Sequence, residues 1–136
     1  MDTLEPKIRP LVEALNQTGV VRTFSSCEGH FSPEEQTLVD RNQADVRFVP
    51  TDTVPVKEVE KLLTFLLTRF KMQYGLIPIN LIGYNLYTPI DDVVEETFVL
   101  TLRPFNRFDP PDRKRTDTDR AIHQVIDLLA RYQQIK

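Results

Sequence analysis

The chain holds one cysteine in 136 residues. An internal disulfide is therefore excluded, and a reducing compartment fits best. No stretch approaches the roughly 20 consecutive apolar residues of a membrane span, so no membrane partner is expected. The opening residues Met1-Asp2-Thr3-Leu4-Glu5-Pro6 lack the basic start and apolar run of a secretory signal, which makes the expected location cytoplasmic. G-x-G-x-x-G, the P-loop, H-E-x-x-H and G-x-S-x-G are all missing, so the standard nucleotide and hydrolase signatures do not apply. Internal repeats and low-complexity tracts are missing too. The net charge is −3. That balance argues against a surface that grips nucleic acid over its whole extent, while leaving room for a local basic patch.

What is present is an ordinary globular composition, 40% hydrophobic and 27% charged. The length suits one domain, residues 1–136. A domain of this size buries roughly two thirds of the surface that its unfolded chain exposes and needs no disulfide or metal for stability.

Hydrophobic periodicity organises the chain. Leu4, Ile8, Leu11, Val12 and Leu15 recur at helical spacing, and Gly19 ends the pattern. Pro10 means that this helix starts there or is kinked there. Val20 to Phe24 is β-branched and aromatic and predicts a strand. Ser32-x-x-Glu35 with Pro33 between predicts a short helix within 31–43. Ala44 to Val49 predicts a second strand, stopped by Pro50. The clearest helix spans about 55–74, with Thr51, Asp52 and Thr53 as N-cap candidates. Its stripe is Val56, Val59, Leu62, Leu63, Leu66 and Phe70, and Gly75 is its C-cap. Ile79 to Tyr87 and Val94 to Arg103 predict two more strands, joined by a longish loop carrying Pro89, Asp91 and Asp92. Residues 104–115 form a Pro- and charge-rich connector. Thr116 or Asp117 then caps a last helix, with Ile122, Val125, Ile126, Leu129 and Tyr132 inward. The expected fold is α+β in the order α-β-(α)-β-α-β-β-α. A single, mostly antiparallel sheet of four or five strands carries its helices mainly on one face.

Ser25-Ser26-Cys27-Glu28-Gly29-His30 concentrates chemistry-bearing residues between the first strand and a predicted helix start. Such a junction suits an anion, because free backbone N–H groups and hydroxyls can converge there. Ser25, Ser26, Cys27, Gly29 and His30 are the candidate ligand-binding residues. Cys27 and His30 are the candidate catalytic pair, a thiol with a neighbouring base. The alternative is a tight turn in which Gly29 serves the backbone, Cys27 fills space and His30 caps. Cys27-x-x-His30 has zinc-like spacing, but no second pair completes four ligands, so no metal site is expected. His123 is read as a solvated helix residue.

Two further clusters have ordinary readings. Arg103-Pro104-Phe105-Asn106-Arg107-Phe108 with Arg113-Lys114-Arg115 could hold phosphates and stack on bases. It reads equally as a connector with both phenylalanines anchored in the core. Asp91, Asp92, Glu95 and Glu96 read as a solvated hairpin tip.

The order strand, Ser25-Ser26-Cys27-x-Gly29, strand, helix, hairpin and helix resembles the wybutosine-synthesising methyltransferase family, which carries Ser-Ser-Cys-Ser-Gly-Arg. Ser25, Ser26, Cys27 and Gly29 match. Glu28 stands where that family has Ser, and His30 where it has Arg. The resemblance implies S-adenosylmethionine as cofactor and a tricyclic guanosine base of transfer RNA as substrate. The turn is also similar to the Ser-Cys-Glu-Gly-His turn of small bacterial proteins of unassigned activity.

Three functional expectations follow. The first is a cytosolic module that binds a small anionic or nucleotide-like ligand at Ser25–His30. The second is a methyltransferase-like enzyme acting on RNA or a nucleoside. The third is an interaction or structural domain without a small-molecule site, pairing through a sheet edge along Asn80 to Tyr87. Ligand identity, nucleic-acid binding and oligomeric state are left open by the residues.

Overall fold

The computed structural model describes residues 4–32 and 42–135. Among these residues, three helices and four strands follow in the order α1 (Arg9–Gln17), β1 (Val21–Cys27), β2 (Ala44–Pro50), α2 (Val56–Tyr74), β3 (Ile79–Ile90), β4 (Val93–Pro104) and α3 (Pro111–Ile135). The strands form one sheet in the order β1-β2-β4-β3, antiparallel at every pairing. The α+β expectation holds, with four strands. The short helix predicted from Ser32 and Glu35 falls on positions 33–41, outside the described residues.

Register decides which side chains meet. Ala44, Val46 and Phe48 of β2 lie opposite Leu102, Leu100 and Phe98 of β4, and all six are buried. On β3, Leu81, Gly83 and Asn85 share this face. The three helices pack here: buried residues of α1, α2 and α3 join these strand residues in one core. α3 touches both α1 and α2 and so occupies the middle of the helix layer. Phe48 and Phe98 stack with ring centroids 6.2 Å apart. Burying a side chain of this size contributes about 1.5–3 kcal/mol. The register also assigns the faces of β3. Ile79 and Leu81 turn towards the helices, while Ile82, Tyr84 and Leu86 line the opposite face of the sheet.

Local chemistry explains the boundaries, with several corrections. α1 starts at Arg9 with Pro10 in its first turn, where a missing N–H costs nothing. Gly19, at φ +74°, follows it. α2 is entered from Pro55 without any side-chain cap, so Thr51, Asp52 and Thr53 do not cap it. Thr51 instead donates its hydroxyl to the Gly19 carbonyl, tying the two turns together. Val56 is exposed rather than part of the buried stripe. β3 and β4 run to a two-residue connection, Asp91-Asp92, instead of a longish loop. Pro89 lies within the ladder, which an edge strand tolerates. α3 begins at Pro111, several residues before Thr116 and Asp117. The supposed connector around 113–115 is helical because its charges are partnered along the helix, Arg115 with Asp119 and Arg113 with Asp117. No helix among the described residues is long and apolar enough to cross a membrane.

Candidate functional site

β1 continues through Ser25, Ser26 and Cys27, which lie opposite Arg47, Val46 and Asp45 of β2. Only Glu28, Gly29 and His30 form the turn. The β1 ladder skips a residue at Phe24. Successive strand side chains point to opposite faces, so Ser26 shares the helix side with Val46, while Ser25 and Cys27 share the other with Arg47 and Asp45. Sequence order grouped these residues as one turn, and the strand divides them.

Two features result. The first is a groove of about 380 Å³ lined by Leu4, Val12, Asn16, Thr23, Phe24, Ser25 and Ser26. It runs along the outer side of β1, an edge strand. Asn16 bridges its rim, accepting from the Thr23 amide at 3.0 Å and donating to the Thr23 hydroxyl at 3.0 Å.

The second is a corner at the end of β1. The chain before α1 brings Glu5 to this corner, where a Glu5 carboxylate oxygen, the Cys27 thiol and a His30 ring nitrogen all lie within 4.8 Å of one another. Among the described residues this is the one group of three or more histidine, cysteine or carboxylate side chains with donor atoms so close. The backbone locks the arrangement. Glu5 Oε1 accepts the Glu28 amide at 2.7 Å, Cys27 Sγ accepts the Gly29 amide at 3.4 Å, and Glu28 Oε1 accepts the Lys7 amide at 2.9 Å. Glu5 Oε2 lies 4.0 Å from His30 Nε2.

α3 braces the turn from behind. Arg115 donates to the carbonyl oxygens of Glu28 and Gly29 at 2.8 and 3.1 Å. Its guanidinium also sits 4.8 Å over the Phe31 ring and pairs with Asp119. Lys7 reaches the same Asp119 at 3.4 Å. The His30 carbonyl accepts from Asn42, whose side-chain oxygen in turn accepts from the buried Lys114 at 3.0 Å. Gly29 is required here. Its φ is +96°, and a Cβ would stand 2.7 Å from the Phe31 ring.

The corner is acidic. Asp45 lies directly across the ladder from Cys27. Burial pushes the Asp45 carboxyl up, the Glu5 charge adds to this, and Arg47 opposes it. The amides of Glu28 and Gly29, expected to face an anion, already serve Glu5 and Cys27.

The remaining candidates lie elsewhere. His123 is exposed on α3 and does not join the corner. Phe105 and Phe108 are exposed by 55% and 85%, so neither anchors the connector in the core. The cations of that segment are largely committed: Arg103 to Gln43, Lys114 to Asn42, Arg115 to the turn and Arg113 to Asp117. Arg107 lies over the Phe108 ring. Asp91 and Asp92 form an exposed hairpin tip. Sequence reasoning missed Glu5 and Asp45, because nothing in their local patterns distinguishes them from solvated charges, and it placed Arg115 in the basic connector segment rather than against the turn. A comparison with protein-family models, with curated proteins and with solved structures finds no match to this chain.

Proposed function

We propose that this domain binds a small anionic or nucleotide-like ligand in the groove beside β1, with the Cys27–His30 corner closing one end. One observation carries the reading. The 380 Å³ groove is lined by Ser25 and Ser26, and three donor side chains converge at a braced corner that begins at the next residue of the same strand. Leu4 and Ser26 line the groove, while their chain neighbours Glu5 and Cys27 form the corner. The volume falls within the roughly 300–1,000 Å³ of small-molecule sites. Ser26 offers a hydroxyl donor from the helix side of the strand, and Ser25 flanks the groove. Glu5, Glu28 and Asp45 repel a bare anion, so the negative end of such a ligand enters together with a cation that offsets them.

The test is an NMR titration that follows the amides of Ser25 to His30. The panel contains phosphate, nucleotides, S-adenosylmethionine and S-adenosylhomocysteine, each with and without Zn²⁺. Saturable shifts on that segment, abolished in the Ser26→Ala/His30→Ala double variant, are the expected result. Undiminished binding in the double variant would reject the site. Shifts confined to S-adenosylmethionine and S-adenosylhomocysteine would favour methyltransferase-like chemistry with Cys27 and His30 as its reactive pair. Silence across the panel would favour an interaction domain, for which the β3 edge is the first surface to examine.

A further inference from the structure

We infer that Glu5, Cys27 and His30 form a binding site for a divalent transition-metal cation of the zinc type. The inference goes beyond the ligand-binding reading and stands without it.

The donor set is one thiolate, one imidazole and one carboxylate. These are the three side-chain types that zinc takes in tetrahedral sites. The donor atoms already lie within 4.8 Å of one another. Ligands of one tetrahedral ion are separated by about 3.3–3.8 Å, given metal–ligand bonds of roughly 2.0–2.3 Å. Closing the difference takes rotations of side chains that are only half-buried.

The surroundings fit a metal in three ways. The Gly29 amide points at Cys27 Sγ at 3.4 Å, an outer hydrogen bond that orients the sulfur. The Glu28 amide holds Glu5 Oε1 and leaves Oε2 turned towards His30. Such outer hydrogen bonds orient and tune metal ligands. The charges also balance. A dication offsets the combined negative charge of a Cys27 thiolate and the Glu5 carboxylate. On binding, the Cys27 thiol gives its proton to solvent and the sulfur lone pair goes to the metal. In the sequence, the Cys27-x-x-His30 spacing lacks a third ligand. Glu5 supplies it from 22 residues upstream of Cys27.

The experiment is titration of the reduced, chelator-treated full chain with Co²⁺, followed by displacement with Zn²⁺. The expected result is saturation at one metal per chain. A thiolate-to-cobalt charge-transfer band and intense visible bands of tetrahedral cobalt should appear, and both should vanish on adding Zn²⁺. Cys27→Ser should abolish the charge-transfer band. Glu5→Gln keeps an acceptor for the Glu28 amide, and it and His30→Ala should each weaken binding at least about a hundredfold, beyond the effect of losing an outer partner. His123→Ala, on the exposed side of α3, should change nothing. Far-ultraviolet circular dichroism of each variant separates lost ligation from lost fold, and Glu5→Gln carries the test if Cys27→Ser unfolds. Cobalt taken up without the charge-transfer band, or a band indifferent to Glu5→Gln and His30→Ala, overturns the inference. If no metal is taken up while phosphate or nucleotides still shift the Ser25–His30 amides, the metal site is overturned and the groove reading survives. A metal bound as described with no groove ligand from the panel supports the metal site and sinks the groove reading instead.

Discussion

The guanidinium of Arg115 lies 3.1 Å from the carbonyl oxygen of Gly29, joining residues 86 positions apart. A second nitrogen of the same fork takes the Glu28 carbonyl at 2.8 Å. The turn that presents His30 is thus held by the first turns of α3 as well as by its own strand.

Arg115→Ala should cost about 1.5–3 kcal/mol in urea unfolding, since it removes charged donors from two backbone acceptors. Arg115→Lys should recover little of this, because an ammonium cannot span both carbonyls as the planar fork does. The amide resonances of Glu28, Gly29 and His30 should move more than those of β2 in both variants. Stability equal to wild type in Arg115→Ala would show that the brace is idle.

Gly29→Ala and Gly19→Ala separate two kinds of glycine requirement. Gly19 has positive φ, but nothing lies within 4 Å of the place an added methyl would take, so alanine there meets only backbone strain, about 1–2 kcal/mol. Gly29 adds a 2.7 Å collision with the Phe31 ring. Chemical denaturation should rank Gly29→Ala as the more destabilised of the two. The reverse ranking would mean that the turn relaxes freely.

Lys114 gives a pH signature. It is 2% exposed, and burial lowers its pKa from 10.5, opposed by Asp109 and reinforced by Arg107. Its folded-state pKa lies below the unfolded one, so the folded chain carries a buried cation at a cost while both states are protonated. That cost fades as pH rises through the lowered pKa and is gone above 10.5. In the metal-free protein, the stability of Lys114→Met relative to wild type should therefore fall as pH is raised from neutral towards that limit. A difference independent of pH would contradict the assignment.

Phe108 and Phe98 form a matched pair of controls. Phe108→Ala should alter stability by no more than about 0.5 kcal/mol, as its ring is 85% exposed. Phe98→Ala should cost about 3–5 kcal/mol, because its buried ring stacks on Phe48. A large loss in Phe108→Ala would place that side chain back in the core.

Much of this architecture is legible along the chain. The stripe Val59, Leu62, Leu63, Leu66 and Phe70 and its stop at Gly75 are local signals of helical period, and α2 follows them. Ala44 to Val49 and the two long strands are readable for the same reason: alternation and β-branching act over neighbouring residues. Cys27 and His30 are recognisable as candidates by residue type alone. The rest depends on contacts between distant segments. The end of β1 could not be placed from Val20 to Phe24, because it is the pairing of Ser25, Ser26 and Cys27 with β2 that extends the strand and sends the two serines to opposite faces. Charges at 113–115 read as a connector until their partners along α3 and in the turn are known. Glu5 becomes a donor beside Cys27 only when the segment before α1 is laid along the end of β1. Periodicity records the energetics of one element at a time, whereas this corner is a sum of strand register, helix packing and hydrogen bonds across the domain, and none of these has a counterpart in adjacent residues.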